Sequence, residues 1–328
     1  MRFRWPIFLV SLSALFTWAS DARRNYDVEA APEFLFERRP IEFECVDRIA
    51  GRPTTMPQGK KAFFLAGNQP GYVLTRSEQL TLTRSDAPSL TITADPSNSV
   101  AVVGSNRADW FIRLCAEGGG ELETEARERL QQISMTRLGT TISVNSPPLG
   151  EGSHGRGSLV VDAPAGAPVV IYASYSAVQI RDVADPVRVT ATHARATILD
   201  TTGRVDASAL VVDFAGWRGI LNLSAEAEIN LKMTALRFDG ALVAWAQRPV
   251  RVLVPPGFMT PFQALVNRPQ DFVCRADFCS KVTKEKKGGL YVFTYQGDGK
   301  TAPERFHLRS EHSTVVVDTS TRQGRVSD

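Results

Sequence analysis

Residues 168–257 repeat with a period of about 18 residues, and no other feature restricts the possible folds as much. Pro168-Val169-Val170-Ile171-Tyr172-Ala173-Ser174-Tyr175 aligns with Pro186-Val187-Arg188-Val189-Thr190-Ala191-Thr192-His193. The block from Arg204 to Val211 keeps the same small and apolar positions, and further units start near Ile220 and Ala241. Second halves match too, with Val178-Gln179-Ile180-Arg181-Asp182 lying over Thr197-Ile198-Leu199-Asp200, then Ile229 to Met233 and Val250 to Val254. Two short strands per unit cannot bury their own apolar side, so the units must stack at about 4.8 Å and share a core. This predicts an all-β chain, a β-solenoid or β-helix-like stack with Val169, Val187 and Val205 in one inward column. Tyr175, His193 and Val211 are expected at one coil position. A β-sandwich is the structural alternative.

Before the repeat, Leu80-Thr81-Leu82-Thr83, Leu90-Thr91-Ile92-Thr93, Ser99 to Gly104 and Trp110 to Cys115 alternate apolar with polar and read as strands. One surface helix is predicted over residues 121–133, after a Gly118-Gly119-Gly120 breaker. Leu122, Ala126, Leu130 and Ile133 form its narrow apolar stripe, and Glu123/Arg127 and Glu125/Arg129 are favourable pairs. After the repeat, Leu290 to Tyr295, Phe306 to Arg309 and Thr314 to Val317 supply closing strands, and the polar residues 321–328 read as a disordered tail.

Residues 1–20 read as a signal peptide. Arg2 and Arg4 precede the apolar stretch Pro6 to Phe16, and Thr17-Trp18-Ala19 offers small residues to a peptidase. Residues 21–84 then form an N-terminal extension, polar and interrupted by Pro40 and Pro53. Export would place Cys45, Cys115, Cys274 and Cys279 in an oxidising compartment. Cys274 and Cys279 could close a short loop, leaving Cys45 and Cys115 for each other. A zinc site combining the C-x4-C pair with His307 and His312 is the competing idea, but the spacer between them is too long for a finger. No metal and no cofactor are expected.

Thirty-eight basic residues face 35 acidic ones, and removal of Arg2 and Arg4 leaves the chain near neutral, so nucleic acid is not an expected partner. The dense run Lys281 to Lys287 reads as a solvated turn. Catalytic signatures are missing: there is no G-x-S-x-G elbow, and Ser153 and His154, adjacent in Gly150 to Gly155, read as a loop.

The strand Val100 to Gly104 leading to Trp110 to Leu114 and the charged helix, the Gly157 to Gly166 strand with its Pro-Ala-Gly turn, and repeats ending near Leu308 to Glu311 and Thr314 to Thr319 resemble a known order of elements. It is similar to that of bacterial adhesin domains related to the head-domain autotransporter-adhesin-like family, over residues 85–320. The resemblance implies a β-solenoid in an exported envelope or surface protein and carries no catalytic residues.

The expected function is therefore a non-enzymatic, adhesin-like or envelope-interaction protein in the periplasm, at the cell surface or outside the cell. Its expected partner is an envelope or extracellular polymer or protein, and no transmembrane segment is expected in the mature chain. Trp217, Trp245, Tyr172 and Tyr175 are candidates to meet carbohydrate, though most are expected to fill the core or its ladders. The alternative is a polysaccharide-active lyase or glycoside hydrolase. It would use Asp182 and Asp200, stacked one repeat apart with Asp213 nearby, as paired carboxylates. In the plainer reading Asp182 and Asp200 are turn residues.

Overall fold

A computed structural model describes residues 53–55, 70–94, 96, 98–147, 154–298 and 306–320. The expected signal peptide, most of the extension with Cys45, Ser153 and the expected tail lie outside the described residues. The described chain is mostly β. The first strands are β1 (Pro53–Thr55), β2 (Pro70–Leu82), β3 (Leu90–Ala94), β4 (Ser99–Ser105) and β5 (Trp110–Gly120). After helix α1 (Glu123–Gln132) come β6 (Ser134–Leu138), β7 (Thr141–Asn145) and β8 (His154–Pro164). The repeat region supplies β9 (Val169–Ser174), β10 (Ala177–Arg181), β11 (Val187–Leu199), β12 (Arg204–Gly216), β13 (Arg218–Met233), β14 (Asp239–Ala246) and β15 (Val250–Val254). The C-terminal part adds β16 (Phe262–Val266), β17 (Phe272–Cys274), β18 (Thr283–Lys287), β19 (Leu290–Tyr295), β20 (Phe306–Ser310) and β21 (Val315–Thr319).

Backbone hydrogen bonds join these strands into one large mixed sheet that does not close on itself. It contains two parallel runs. In the first, β7, β3, β9, the leading halves of β11, β12 and β13, then β14, β20 and β16 follow one another. In the second, β8, β4, β10, the trailing halves of β11, β12 and β13, then β15, β21 and β17 do the same. Register follows the sequence alignment: Val169 lies on Val187 and Val187 on Val205, Ile180 on Ile198, and Ile229 on Val250.

Alternation decides what is buried. In Val169-Val170-Ile171-Tyr172-Ala173 the odd-numbered residues point inward and are buried, and Tyr172 points out. Inward residues from both runs, among them Val169, Ile171, Ile180, Ile198, Phe214 and Leu231, belong to one buried cluster. Ala173, Ala191, Ala207 and Ala209 keep that core narrow beside the bends.

The ends are closed differently. At the N-terminal side β2 pairs antiparallel with β5 along its length, and β5 with β8. Gly118-Gly119-Gly120, expected to break structure before the helix, is instead the last part of β5. Gly118 and Gly120 are needed because α1 lies directly on that strand. A Cβ at Gly118 would collide with Ala126 O and Leu130 N of the helix backbone. The helix itself is shorter than expected. Leu122 stands at its N-cap in extended conformation and is 58% exposed, so it leaves the stripe, whereas Ala126 and Ile133 are buried. Glu123 pairs with Arg127 at 2.6 Å, but Glu125 turns back to accept the Leu122 backbone N–H.

The Lys281 to Lys287 run is likewise not a turn. Residues 283–287 form the fully exposed strand β18, paired antiparallel with β19 through a Gly288-Gly289 turn in which both glycines have positive φ. Lysines on such an edge oppose pairing with another chain. Behind it Phe258, Phe262, Phe278, Tyr295 and Phe306 form an aromatic cluster. The Cys274–Cys279 disulfide, Cα–Cα 5.7 Å, closes the loop that carries Phe278 into it. Cys115 is also disulfide-bonded; Cys45, the partner expected for it, lies outside the described residues. No helix among the described residues is long and apolar enough to cross a membrane.

Candidate functional site

The outer side of the first parallel run carries two in-register columns of outward residues. One is Thr91, Val170, Arg188, Asp206, Asn222 and Val243, and the other is Thr93, Tyr172, Thr190, Ser208, Ser224 and Trp245. Tyr172, Arg188, Thr190, Ser208 and Asn222 are exposed, so the phenol ring lies among hydroxyl, amide and guanidinium groups that face water. Most of the candidate aromatics were expected in the core or its ladders. Tyr175 does stack on His193, but none of the four is in the core: Tyr172 is 48%, Tyr175 63% and Trp217 40% exposed, while Trp245 is half-buried. The signal was available in the alternation, since Tyr172 occupies the same outward phase as Thr190 and Ser208.

Where β9 gives way to β10 and where β11 bends, Tyr175 and His193 both have left-handed backbones, with φ of 49° and 51°. Such a conformation costs a residue with a Cβ roughly 1–2 kcal/mol. Partial compensation comes from the Tyr175 N–H, which donates to Thr192 O at 3.0 Å, and from ring stacking at 4.8 Å with planes 2° apart. The third member expected in this column is absent from it. Val211 pairs with Arg195, because β12 rounds the bend through Leu210 alone where β11 uses residues 192–194. The stack therefore stands at the edge of the Tyr172 face as an exposed Tyr–His pair.

Asp182 and Asp200 take the same conformation at the other bend, with φ of 55° and 48°. Asp182 N–H donates to Leu199 O and Asp200 N–H to Ala215 O, so both serve as corner residues. Each follows directly on the end of its strand, Asp182 after β10 and Asp200 after β11, which pair in parallel. Asp182 pairs with Arg181 at 3.0 Å. Burial, and then the charge of Asp182, push the Asp200 carboxyl above the ordinary aspartate range, with Arg181 opposing. Asp213 does not join them: it is buried on β12, paired with Arg195 at 3.3 Å and accepting a hydrogen bond from Asn230 at 2.9 Å.

Trp217, at a bend after β12, lies under the Arg218 guanidinium, 4.6 Å from ring centroid to carbon. His307 is in register with Val243 on the outer face, and His154 opposes Gly119. Cys274 and Cys279 are consumed by their disulfide and offer no thiolate to His307 or His312. Among the described residues no group of three or more His, Cys, Asp or Glu is placed to hold a metal ion.

No family model matches the chain, and no curated protein matches it. Among solved structures it is similar to a putative cell adhesion protein from Clostridium sporogenes, at 9% identity and a TM-score of 0.30, covering 75% of this chain and 98% of that one. It is also similar to a putative adhesin from Bacteroides fragilis, at 8% identity and a TM-score of 0.29, with 76% and 97% covered. A putative adhesin from Parabacteroides distasonis gives 9% identity and a TM-score of 0.23, with 75% and 97% covered. Likenesses this distant decide neither fold nor function.

Proposed function

We propose that the protein is an exported, non-catalytic β-solenoid that presents the outer side of its first parallel run as a binding surface. It would act as an adhesin-like or envelope-interaction protein towards an extracellular or envelope polymer or protein. In this reading residues 1–20 are a leader, residues 21–84 an extension, residues 85–320 the solenoid body and residues 321–328 a tail. The register columns support the solenoid, since successive strands present equivalent residues at the same height. One observation carries the function: Tyr172, Tyr175 and His193 are exposed together beside outward hydroxyl side chains. Exposed aromatic faces next to hydrogen-bonding groups suit recognition of sugars or extended chains.

A second reading, a polysaccharide-active enzyme, draws on the raised carboxyl of Asp200 beside Asp182. One experiment separates the two. The purified exported form is screened on an array of glycans, envelope polymers and matrix proteins, and released sugars are assayed in the same samples. Saturable binding without products, lost in Tyr172→Ala, is the expected result. New reducing ends or unsaturated products, abolished by Asp182→Ala or Asp200→Ala in a folded protein, would replace the proposal with the enzyme.

A further inference from the structure

The two outward columns differ in charge from a neutral sugar-binding surface at one point. Across β3, β9, β11, β12 and β13 they contain two charged residues, Arg188 and Asp206. Asp206 is neutralised by Arg204 at 3.0 Å. Arg188 forms no ion pair among the described residues and its side chain is exposed. It is in register with Val170, two residues before Tyr172, and lies on the strand that places Thr190 directly beside the Tyr172 ring. Tyr172 and Arg188 are thus diagonal neighbours on one face, with Thr190, Thr192, Ser208 and Asn222 around them as further hydrogen-bonding groups.

We infer that the occupant of this face is an acidic polysaccharide, a chain of uronic acid residues, and this rests on the binding-surface reading above. A pyranose ring stacked on Tyr172 has its edge carboxylate within reach of Arg188, whose planar fork matches a carboxylate better than any neutral sugar hydroxyl. The chain lies across the strands. Their spacing of about 4.8 Å is close to the advance per sugar of an extended β-linked glycan, so successive residues meet successive strands. From β3 to β13 the face spans roughly 19 Å by the same spacing, enough for about four sugars. Arg188 supplies the charge complementarity, its in-register neighbour Asp206 being held by Arg204, and the hydroxyl column supplies contacts that any sugar can use.

The test is calorimetry of the full purified chain with a β-1,4-linked hexamannuronate and with the same oligosaccharide after reduction of its carboxyl groups. The acidic sugar is expected to bind at least tenfold tighter. Arg188→Gln is expected to remove that preference, whereas Tyr172→Ala weakens both tenfold or more. Both side chains are exposed, and unchanged thermal melting of each variant verifies that folding is intact. Equal affinity for the two sugars, with both lost in Tyr172→Ala, overturns the acidic class and leaves the binding surface standing. An acid preference that survives Arg188→Gln overturns the assignment of the carboxylate site. Binding to neither sugar overturns the class as well; the array then judges the surface itself, and a protein that captures nothing there sinks both.

Discussion

Ile198 and its neighbour Thr197 give the sharpest test of how β11 faces the core. Ile198 is fully buried and in register with Ile180 on one side and Phe214 on the other; Thr197 is half-buried on the outer side between Gln179 and Asp213. Ile198→Ala removes three buried carbons and leaves a cavity. The flanking strands are held in place by hydrogen bonds along both edges of β11, so little collapse is available to refill it. Losses for such truncations run from about 2 to 5 kcal/mol, and a site that cannot relax belongs at about 3–4 kcal/mol. Thr197→Ala, one residue away and half-buried, is expected to cost about 1 kcal/mol or less. Urea unfolding followed by far-UV circular dichroism reads both. Similar losses for the two variants, or the larger loss at Thr197, would refute the inward phase of this strand and with it the register of the columns.

Three further outcomes follow from single sites. Folding raises the Asp200 carboxyl, so the native state is penalised as pH rises through the carboxylate range. Asp200→Asn, which tolerates the left-handed backbone, is therefore expected to raise the melting temperature near pH 7 and to leave it unchanged near pH 3. Gly118→Ala drives a Cβ into the backbone of α1 and should cost about 1–3 kcal/mol, read by thermal melting; a neutral result would show that the helix does not lie on β5 as described. Cys274→Ser opens a loop of sequence separation 5 and should cost about 2 kcal/mol in urea unfolding, since short loops gain least from closure.

The pairing of β9 and β10 with β11, and of β11 with the start of β12, was legible because an 18-residue spacing, β-branched residues and small residues at bends all pointed to one register. Ile180 over Ile198 and Val187 over Val205 needed nothing but alternation. What failed to show were places where a second element intervenes. Three glycines in a row signal a break in an isolated chain, but here Gly118 and Gly120 let a helix press against a strand. A run of lysines looks like solvent-facing turn, but the Gly288-Gly289 pair and the apolar Leu290 to Tyr295 strand after it marked a hairpin. Val211 left the Tyr175/His193 column because the length of a bend, unlike the phase of a strand, is not fixed by hydrophobic pattern. Of the candidate site, the residues were visible and their exposure was not. Tyr172 stands between the inward Ile171 and Ala173, and that position alone marks it as outward.

The measurement that bears most directly on the central claim is hydroxyl-radical footprinting of the protein with and without its captured polymer. Protection of Tyr172, Tyr175 and His193 is expected, with Trp217 and the Asp182–Asp200 bend as reactive as in the free chain. Protection centred on Asp182 and Asp200, with Tyr172 unaffected, would contradict it and place the working surface at the opposite bend.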